Sequence, residues 1–392
     1  KPRRVEGRAI DRCGADLDLR RDRGVRLPPG LLVADARRVI DDPAIDLVIE
    51  LIGGIHPAGD FAAAALRRGK RLITANKALL AERGREIFAL AQKCRRGVYF
   101  EASVGGGIPI IKALREGLAA NRIESILGII NGTSNYILSR MTEEGESLPT
   151  ALAEAREKGY AEPDPSLDLK GIDSAHKLAI LASLAYGGWA DLRDIHVDGI
   201  AGIAREDIVS TGNLGYVIKL LAVAKRNPPG VELRVHPALL PRSHLLATVG
   251  GALNASCVEG DFSGQNIFIG LGAGEGPAAS AVVGDLIDAG RDLLSGSEER
   301  LKAIPASARL EAIPYGETEC PHYLRVPAID RPGVLARIAN ILARGSISIA
   351  SVIQRGRRKH GVVPVVLMTH RAREKAMARA IARIDRLDVV RG

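Results

Sequence analysis

The sequence predicts a chain in three parts: a parallel α/β sheet, a mixed α+β domain and a ferredoxin-like βαββαβ module. Three observations support this fold class. Short β-rich runs alternate with alanine-rich helical runs from Leu31 to about Ile108, and longer helical and strand-like runs follow as far as Ile304. A charged, proline-containing linker at 305–317 then precedes one more alternating block at 318–392.

The first part, residues 1–109, has β-rich runs at Leu31 to Ala34, Asp46 to Glu50, Arg71 to Thr74 and Val98 to Glu101. Strands that alternate with helices predict a parallel sheet with crossover helices. The segments Glu50-Leu-Ile-Gly-Gly54 and Thr74-Ala-Asn-Lys77 follow two of these strands, at the edge where open α/β sheets bind ligands. This pattern is typical of the back half of a Rossmann-like dinucleotide-binding domain, to which residues 272–294 are expected to return.

The middle part, residues 110–304, is predicted to be an α+β catalytic domain. Its apolar runs indicate helices at 108–118, about 175–187, 214–226 and 277–289, and strands at 125–130, 231–240, 245–249, 254–258 and 266–271.

The last part has the order βαββαβ, with strands at 323–328, 347–354, 361–368 and 386–390 and helices at 333–343 and 372–384. The turn Asp330-Arg-Pro-Gly333 precedes the first helix, so its backbone N–H groups are free to receive an amino-acid carboxylate. A ferredoxin-like appendage that binds no ligand is the open alternative.

Composition excludes several classes of protein. The chain has 392 residues, of which 46% are hydrophobic and 26% charged, and its longest apolar runs fall short of the ~20 residues of a membrane span, so we expect a cytoplasmic protein. The four cysteines are scattered and the eight histidines lack ligand spacing, so zinc and disulfides are not expected. Net charge is +9, but aromatic residues make up only 3%, so no nucleic-acid surface is expected.

The stretch from Ala155 to Lys177 is the most informative one. Pro163 and Pro165 exclude a helix around Asp164, and a helical apolar pattern begins after Gly171. Asp173 and Lys177 stand four residues apart and therefore share a helix face. Taken alone, the pair is most simply an exposed salt bridge.

The whole stretch, however, resembles the signature of the homoserine dehydrogenases. Further segments that resemble the family occur in the same order along the chain: Val48 to Gly54, Thr74 to Lys77, Glu101 to Pro109, Asn131 to Ile137 and Gly270 to Gly274. Those enzymes interconvert L-homoserine and L-aspartate 4-semialdehyde with NAD or NADP, in the biosynthesis of threonine, methionine and isoleucine. The resemblance therefore implies an oxidoreductase that acts on a CH–OH group.

The resemblance also implies roles for individual residues. Lys177 and Lys77 are the expected catalytic lysines. The expected substrate-binding residues are Glu162, Asp173, Asp168, Gly159 and Thr133, with Glu162 and Asp173 on the α-ammonium group. The expected cofactor-binding residues are Gly53, Thr74, Asn76, Lys77, Gly159 and Gly274, although Ala278 replaces a threonine that is usual in the family.

The resemblance also implies a monovalent-cation site, for sodium, at Glu101 with the carbonyl groups of Val104, Gly106 and Ile108. The alternative is that Gly105-Gly-Gly107 only turns the backbone before a helix.

The last module resembles the ACT regulatory domain. Threonine is the expected effector, at Asp330, Pro332, Gly333, Val334 and Ile347. A Ser346 where the family usually has glycine leaves that site in question. A homodimer or homotetramer is expected, because the sheet of the middle domain supplies the dimer contact in the family.

The start of the chain raises a competing interpretation. A Gly-x-Gly-x-x-Gly turn would normally follow the first Rossmann strand, but none occurs before Leu31. We therefore expect the first βα unit to be missing, the strand near Arg8 to lack its partner and the edge at Asp46 to Glu50 to be exposed. On this interpretation the chain is a catalytically impaired fragment that acts only as an amino-acid sensor.

Overall fold

The computed structural model describes residues 13–297, 304, 308–354 and 361–391. In the first part, the strands and helices are β1 (Gly14–Ala15), β2 (Leu32–Val33), α1 (Arg37–Asp41), β3 (Leu47–Glu50), α2 (Ala58–Arg67), β4 (Arg71–Thr74), α3 (Lys77–Cys94) and β5 (Val98–Tyr99). Strands β3, β4 and β5 form a parallel sheet in that order, and β4 is buried along its whole length. The predicted α/β alternation is confirmed.

Two strands lie outside that sheet. β1 and β2 pair in parallel as a separate two-stranded sheet. Within the described residues β3 pairs only with β4, so β3 is an edge strand, and Ile49 on it is 38% exposed. The strand expected near Arg8 lies outside the described residues.

The middle part contains α4 (Ile110–Lys112, continued by a π-helical turn at Ala113–Gly117), β6 (Ile123–Ile129), α5 (Gly132–Glu143), α6 (Leu148–Glu157), α7 (Ser166–Leu169), α8 (Ile172–Tyr186), β7 (His196–Val197), α9 (Arg205–Asn213), β8 (Tyr216–Asn227), β9 (Gly230–Pro241), β10 (Leu253–Gly260), β11 (Gly264–Leu271) and α10 (Glu275–Ser295). Its sheet has the order β11-β10-β6-β8-β9-β7. Helices α5 and α8 pack against this sheet, whereas α10 packs back on β4 of the first sheet.

Two predictions for this part were wrong. The segment 214–226 is not a helix but mostly the central strand β8, which lies between β6 and β9 and is buried from Ile218 to Ala224. A strand buried on both faces is apolar throughout, and such a run lacks the alternation that separates strand from helix. The segment 245–249 is a 3₁₀ turn at Leu245–Thr248, because His244 accepts a hydrogen bond from the amide of Leu246.

The last part contains β12 (Glu319–Cys320), β13 (Tyr323–Ile329), α11 (Val334–Arg344), β14 (Ile349–Gln354), β15 (Val362–Thr369), β16 (Ala372–Arg373) and α12 (Glu374–Ile384). The main sheet is antiparallel in the order β13-β15-β14, with its core closed by α11 and α12. The strand predicted at 386–390 is reduced to one bridge between Ala328 and Val390. Turn hydrogen bonds from Leu387 and Val390 occupy amides that a strand would need.

The last part is tied to the middle part by an ion pair. Arg325 on β13 contacts Asp207 on α9 with 2.6 Å between Nε and Oδ1, and the hydroxyl of Tyr323 donates to the same carboxylate at 2.9 Å. Asp207 also accepts a hydrogen bond from the amide of Ala204, which caps α9. Among the helices that the structure describes, none is long and apolar enough to cross a membrane.

The packing of α3 generates a stability prediction. A Cβ on Gly84 would lie 2.2 Å from the ring of Trp189, which is 5% exposed and is the single tryptophan of the chain. We expect Gly84→Ala to lower the free energy of unfolding by about 1–3 kcal/mol through overpacking. Thermal unfolding followed by Trp189 fluorescence measures the change.

The matched control is Gly290→Ala, which is also within a helix but where no described atom lies within 4 Å of the added methyl group. This substitution should be neutral or stabilising by up to about 1 kcal/mol. Equal destabilisation by both substitutions would contradict the proposed contact.

Candidate active site

A buried carboxylate, Asp173 in the first turn of α8, lies between two lysines. One carboxylate oxygen, Oδ1, is 2.8 Å from Nζ of Lys77, and the other, Oδ2, is 2.7 Å from Nζ of Lys177. Lys77 is the first residue of α3, so this contact joins the first sheet to the middle domain. The two lysines predicted from the sequence therefore meet on one side chain.

The two lysines differ in exposure. Lys177 is 7% exposed, and its Nζ also donates to the backbone carbonyl of Ile130 at 2.7 Å. An ammonium group has three donors, so among the described residues one donor of Lys177 is left for a further acceptor. The Lys77 side chain is 43% exposed and faces solvent beside it.

The electrostatics of the cluster keep Asp173 and Lys77 charged. Burial acts to raise the pKa of Asp173, but the charges of Lys177 and Lys77 outweigh it, so the pKa is well below its ordinary value. Burial likewise acts to lower the pKa of Lys77, but Asp173, with smaller effects from Asp168 and Glu162, raises it. Lys77 is therefore a permanent cation at neutral pH.

Asn131, which was not among the predicted site residues, holds the acidic side of the cluster together. As the N-cap of α5 it accepts a hydrogen bond from the amide of Ser134. Its Nδ2 donates to Asp168 at 2.6 Å and to Asp173 at 2.9 Å. An asparagine at this position of the sequence predicts a helix cap. The sequence does not predict which side chains its Nδ2 group contacts.

The remaining predicted substrate residues surround this cluster. Glu162 is exposed and close enough to Lys77 to affect its pKa. Thr133 donates to the carbonyl of Tyr160 at 2.6 Å, and Gly159 has a φ of 74° with open space around its α-carbon. Asp164 accepts a hydrogen bond at 3.1 Å from the amide of Ser166, the first residue of α7, which is a structural role in the turn.

The predicted cofactor residues lie at the carboxyl ends of β3 and β4. Buried Glu50 organises them: its carboxylate accepts from the amide of Ile52 at 2.7 Å and from the hydroxyl of Thr74 at 2.6 Å. Asn76 caps α3 and donates to the carbonyl of Gly54 at 2.7 Å. Thr74 and Asn76 thus use their side chains to shape the loop, and Gly53, with a φ of 82°, leaves it open to solvent.

Gly274, the remaining predicted cofactor residue, precedes the 21-residue helix α10 and has a φ of 117°. Gly106 packs beside this segment, since a Cβ there would lie 2.7 Å from the carbonyl oxygen of Gly272. Positive φ at Gly106 and this close approach both require glycine.

Glu101, the predicted cation ligand, is 4% exposed and caps α4. Its two carboxylate oxygens accept from the amides of Ile111 and Lys112, both at 2.9 Å. The carbonyl of Ile108 accepts from the amide of Ile110, and Val104 is buried. Burial raises the pKa of Glu101 to about 7 and that of neighbouring Asp285 to about 6.

The predicted effector residues lie around the start of α11. Gly333 has a φ of 88° and precedes the helix, and Pro332 is exposed. Val334 and Ile347 are 5% and 4% exposed and belong to the core of the last module, and Asp330 is half-buried.

Three family models match the chain. They are described as "Homoserine dehydrogenase, NAD binding domain" for residues 10–101, "Homoserine dehydrogenase" for 109–287 and "ACT domain" for 322–389. Homoserine dehydrogenase of Pseudomonas aeruginosa is 46% identical over 92% of this chain and 84% of that protein. The Neisseria gonorrhoeae enzyme is 45% identical over 98% of this chain and 89% of that protein.

Solved structures agree with these sequence matches. A homoserine dehydrogenase from Thiobacillus denitrificans has a TM-score of 0.87 and 47% identity, covering 93% of this chain and 84% of that chain. A hyperthermophilic archaeal homoserine dehydrogenase in complex with NADPH has a TM-score of 0.58 and 28% identity, covering 66% of this chain and 75% of that chain. With matches of this identity over nearly its full length, the chain belongs to the homoserine dehydrogenase family.

Proposed function

We propose that this chain interconverts L-homoserine and L-aspartate 4-semialdehyde at the cluster of Lys77, Asp173 and Lys177. The observation that carries the proposal is the buried Asp173 carboxylate with one lysine on each oxygen. The competing interpretation, a sensor without activity, gains no support, because the acid/base residues converge in one site.

The residues at the sheet edge fit a nicotinamide dinucleotide. Gly53 and Gly54 have positive φ and open space beside them, so a flat ring or a phosphate can approach the backbone. Leu51 and Ile52 are 62% and 55% exposed, which offers an apolar surface next to that loop. When bound, the cofactor supplies the hydride transfer; NADP and NAD both suit this edge, and the NADPH complex of the archaeal relative supports a nicotinamide cofactor here.

Lys177 is the proposed proton donor and acceptor at the reacting oxygen. Its ammonium group is fixed by Asp173 and by the carbonyl of Ile130, which leaves its third donor for the substrate. A group fixed in this way needs no reorganisation when the oxygen gains or loses its proton.

The three carboxylates of the site have different proposed roles. Both oxygens of Asp173 are occupied, so the geometry favours a positioning role for Asp173 rather than the ammonium contact expected from the sequence. Exposed Glu162 is the better partner for the substrate ammonium group, with a charge-assisted contact contributing about 1.5–3 kcal/mol. Asp168, held by Asn131, adds negative charge on the same side.

Replacement of the proposed acid tests the mechanism. In Lys177→Met the apolar stem is kept and Asp173 retains Lys77, so the fold should survive. We expect kcat for NADPH-dependent reduction of aspartate semialdehyde to fall by about 10²–10⁴-fold. Steady-state kinetics measure the loss, and cofactor titration should show an almost unchanged affinity.

Lys219→Met is the matched control, because Lys219 is a 3%-exposed lysine that binds the carbonyl of Val249 outside the site. It should destabilise the protein without a comparable loss of kcat. Glu162→Gln should instead raise KM for homoserine. A kcat for Lys177→Met within about threefold of the parent chain would overturn the assignment.

We propose further that Glu101 and nearby carbonyl groups bind a sodium ion, which competes with the capping role described above. Without a cation, the native Glu101 carboxyl keeps its proton up to about pH 7, whereas the unfolded one loses it near pH 4.5. Its contribution to stability is therefore largest at the acid end of this range and is lost as the pH rises through it.

The expected result is a downward slope of Tm from about pH 5 to 7 that is smaller in Glu101→Gln. Thermal unfolding in sodium chloride and in choline chloride of equal ionic strength separates the two roles. If sodium binds, it stabilises the carboxylate and flattens the slope of the parent chain only; identical curves in both salts would reject the sodium site.

The ACT module is proposed to bind threonine near Asp330 to Val334, on the amides of Gly333 and Leu335 at the start of α11, which have no backbone acceptor among the described residues. A homodimer or homotetramer is proposed as well, and the four free thiols suit a cytoplasmic location. Calorimetric titration of the full chain with L-threonine should give saturable heat that is weakened in Asp330→Ala and retained in Asp385→Ala. Absence of heat with the parent chain would exclude threonine as the effector.

A further inference from the structure

A second cluster of chemically active side chains lies outside the lysine site, at the start of the ACT module. Cys320 ends β12, His322 follows two residues later, and Glu374 begins α12. β12 pairs with β16, in which Cys320 is opposite Ala372, so the sheet brings these distant positions together. Among the described residues, this is the one group of three or more cysteine, histidine and acidic side chains whose ligand atoms lie within 4.8 Å of one another.

The three donor atoms form a compact triangle. Sγ of Cys320 is 3.8 Å from Nε2 of His322 and 3.3 Å from Oε1 of Glu374, and Nε2 is 3.1 Å from the same Oε1. In tetrahedral zinc sites, bonds of about 2.3 Å to sulfur and about 2.0–2.1 Å to nitrogen or oxygen set these separations at about 3.3–3.6 Å. The observed sides thus differ from those of a zinc site by only a few tenths of an ångström.

We propose that Cys320, His322 and Glu374 bind a zinc ion, with a water molecule as the fourth ligand. A thiolate and a carboxylate together balance the charge of Zn²⁺, and histidine is its usual neutral ligand. On binding, the thiol proton and the proton shared by Nε2 and Oε1 leave to solvent, and sulfur, Nε2 and Oε1 each donate a lone pair to the metal. Three protein ligands with one open position is also an established arrangement for zinc.

The surroundings of the cluster support a metal site. The side chains of His322 and Glu374 are only 11% and 15% exposed. Tyr315 forms a hydrogen bond with Glu374, as partners of metal-binding carboxylates commonly do. The charge of nearby Arg234 is offset by Glu232, whose Oε2 is 3.5 Å from NH1 of the arginine.

A nucleophilic cysteine is the alternative, and the geometry argues against it. An activating triad needs the thiol and the carboxylate on opposite nitrogens of the imidazole, whereas both contact Nε2 here. Burial and the charge of Glu374 raise the pKa of the Cys320 thiol to about 12, so it is not a thiolate without a metal.

The site has a definite place in the molecule. Tyr315, the hydrogen-bond partner of Glu374, stacks on His196 of β7 with 3.4 Å between ring centroids. A zinc ion would therefore tie the end of β12 to the start of α12, with Tyr315 connecting the site to β7 of the middle domain.

The test is a titration of the untagged full-length chain with Co²⁺, a spectroscopic substitute for zinc. We expect saturation at a single cobalt ion per chain, a thiolate-to-cobalt charge-transfer band in the near ultraviolet, and loss of the band on addition of Zn²⁺. In Cys320→Ser the band should disappear, and Glu374→Gln should weaken the affinity by about 100-fold or more.

Cys94→Ser is the matched control, since it removes another partly buried thiol outside the cluster, and the band should be unchanged in it. Trp189 fluorescence checks that each variant is folded, and His322→Gln replaces Cys320→Ser if the latter fails this check. No thiolate band in the parent chain, or a band that survives loss of Cys320 or His322, would overturn the proposal.

Discussion

The arrangement of the catalytic domain depends on one buried carboxylate. Asp173 is 6% exposed and has no solvent to stabilise its charge, so its two lysine contacts must do so. Because Lys77 begins α3 of the first part and Lys177 lies on α8 of the middle part, the same charge balance holds two domains at a defined distance. Removal of either lysine leaves a charge partly uncompensated, which is costly inside a protein.

Side-chain hydrogen bonds of two asparagines connect the charged cluster and the cofactor loop to the helices around them. Asn131 links Asp173 to the start of α5, and Asn76 links the start of α3 to the loop after β3. Each is a helix cap whose second polar group faces the site. Helix geometry and site geometry are therefore maintained by the same side chains, which leaves little freedom to vary either.

Sequence reasoning predicted most of the fold and the identity of the central charged residues. The parallel sheet follows from alternation, and Lys77, Asp173 and Lys177 follow from the resemblance. The prediction was wrong at β8, because a strand buried on both faces lacks the alternation of apolar and polar residues. It was also wrong at 386–390, where amides donate hydrogen bonds within turns and not to a neighbouring strand. It also could not foresee that Asp173 would have no free oxygen, since that depends on a contact between residues 96 positions apart. The same limit applies to Cys320 and Glu374, whose proximity is set by the pairing of β12 with β16.

The ion pair between Asp207 and Arg325 has a further consequence. The Asp207 carboxylate caps α9 and at the same time receives Arg325 and Tyr323 from β13. Any movement that separates β13 from α9 must leave the helix cap with a buried, less compensated charge. Helix α9 packs on β8 and on α5, the helix that Asn131 caps. Detachment of the regulatory module would therefore strain α5. By reciprocity, whatever makes α5 more rigid should strengthen the attachment of the module.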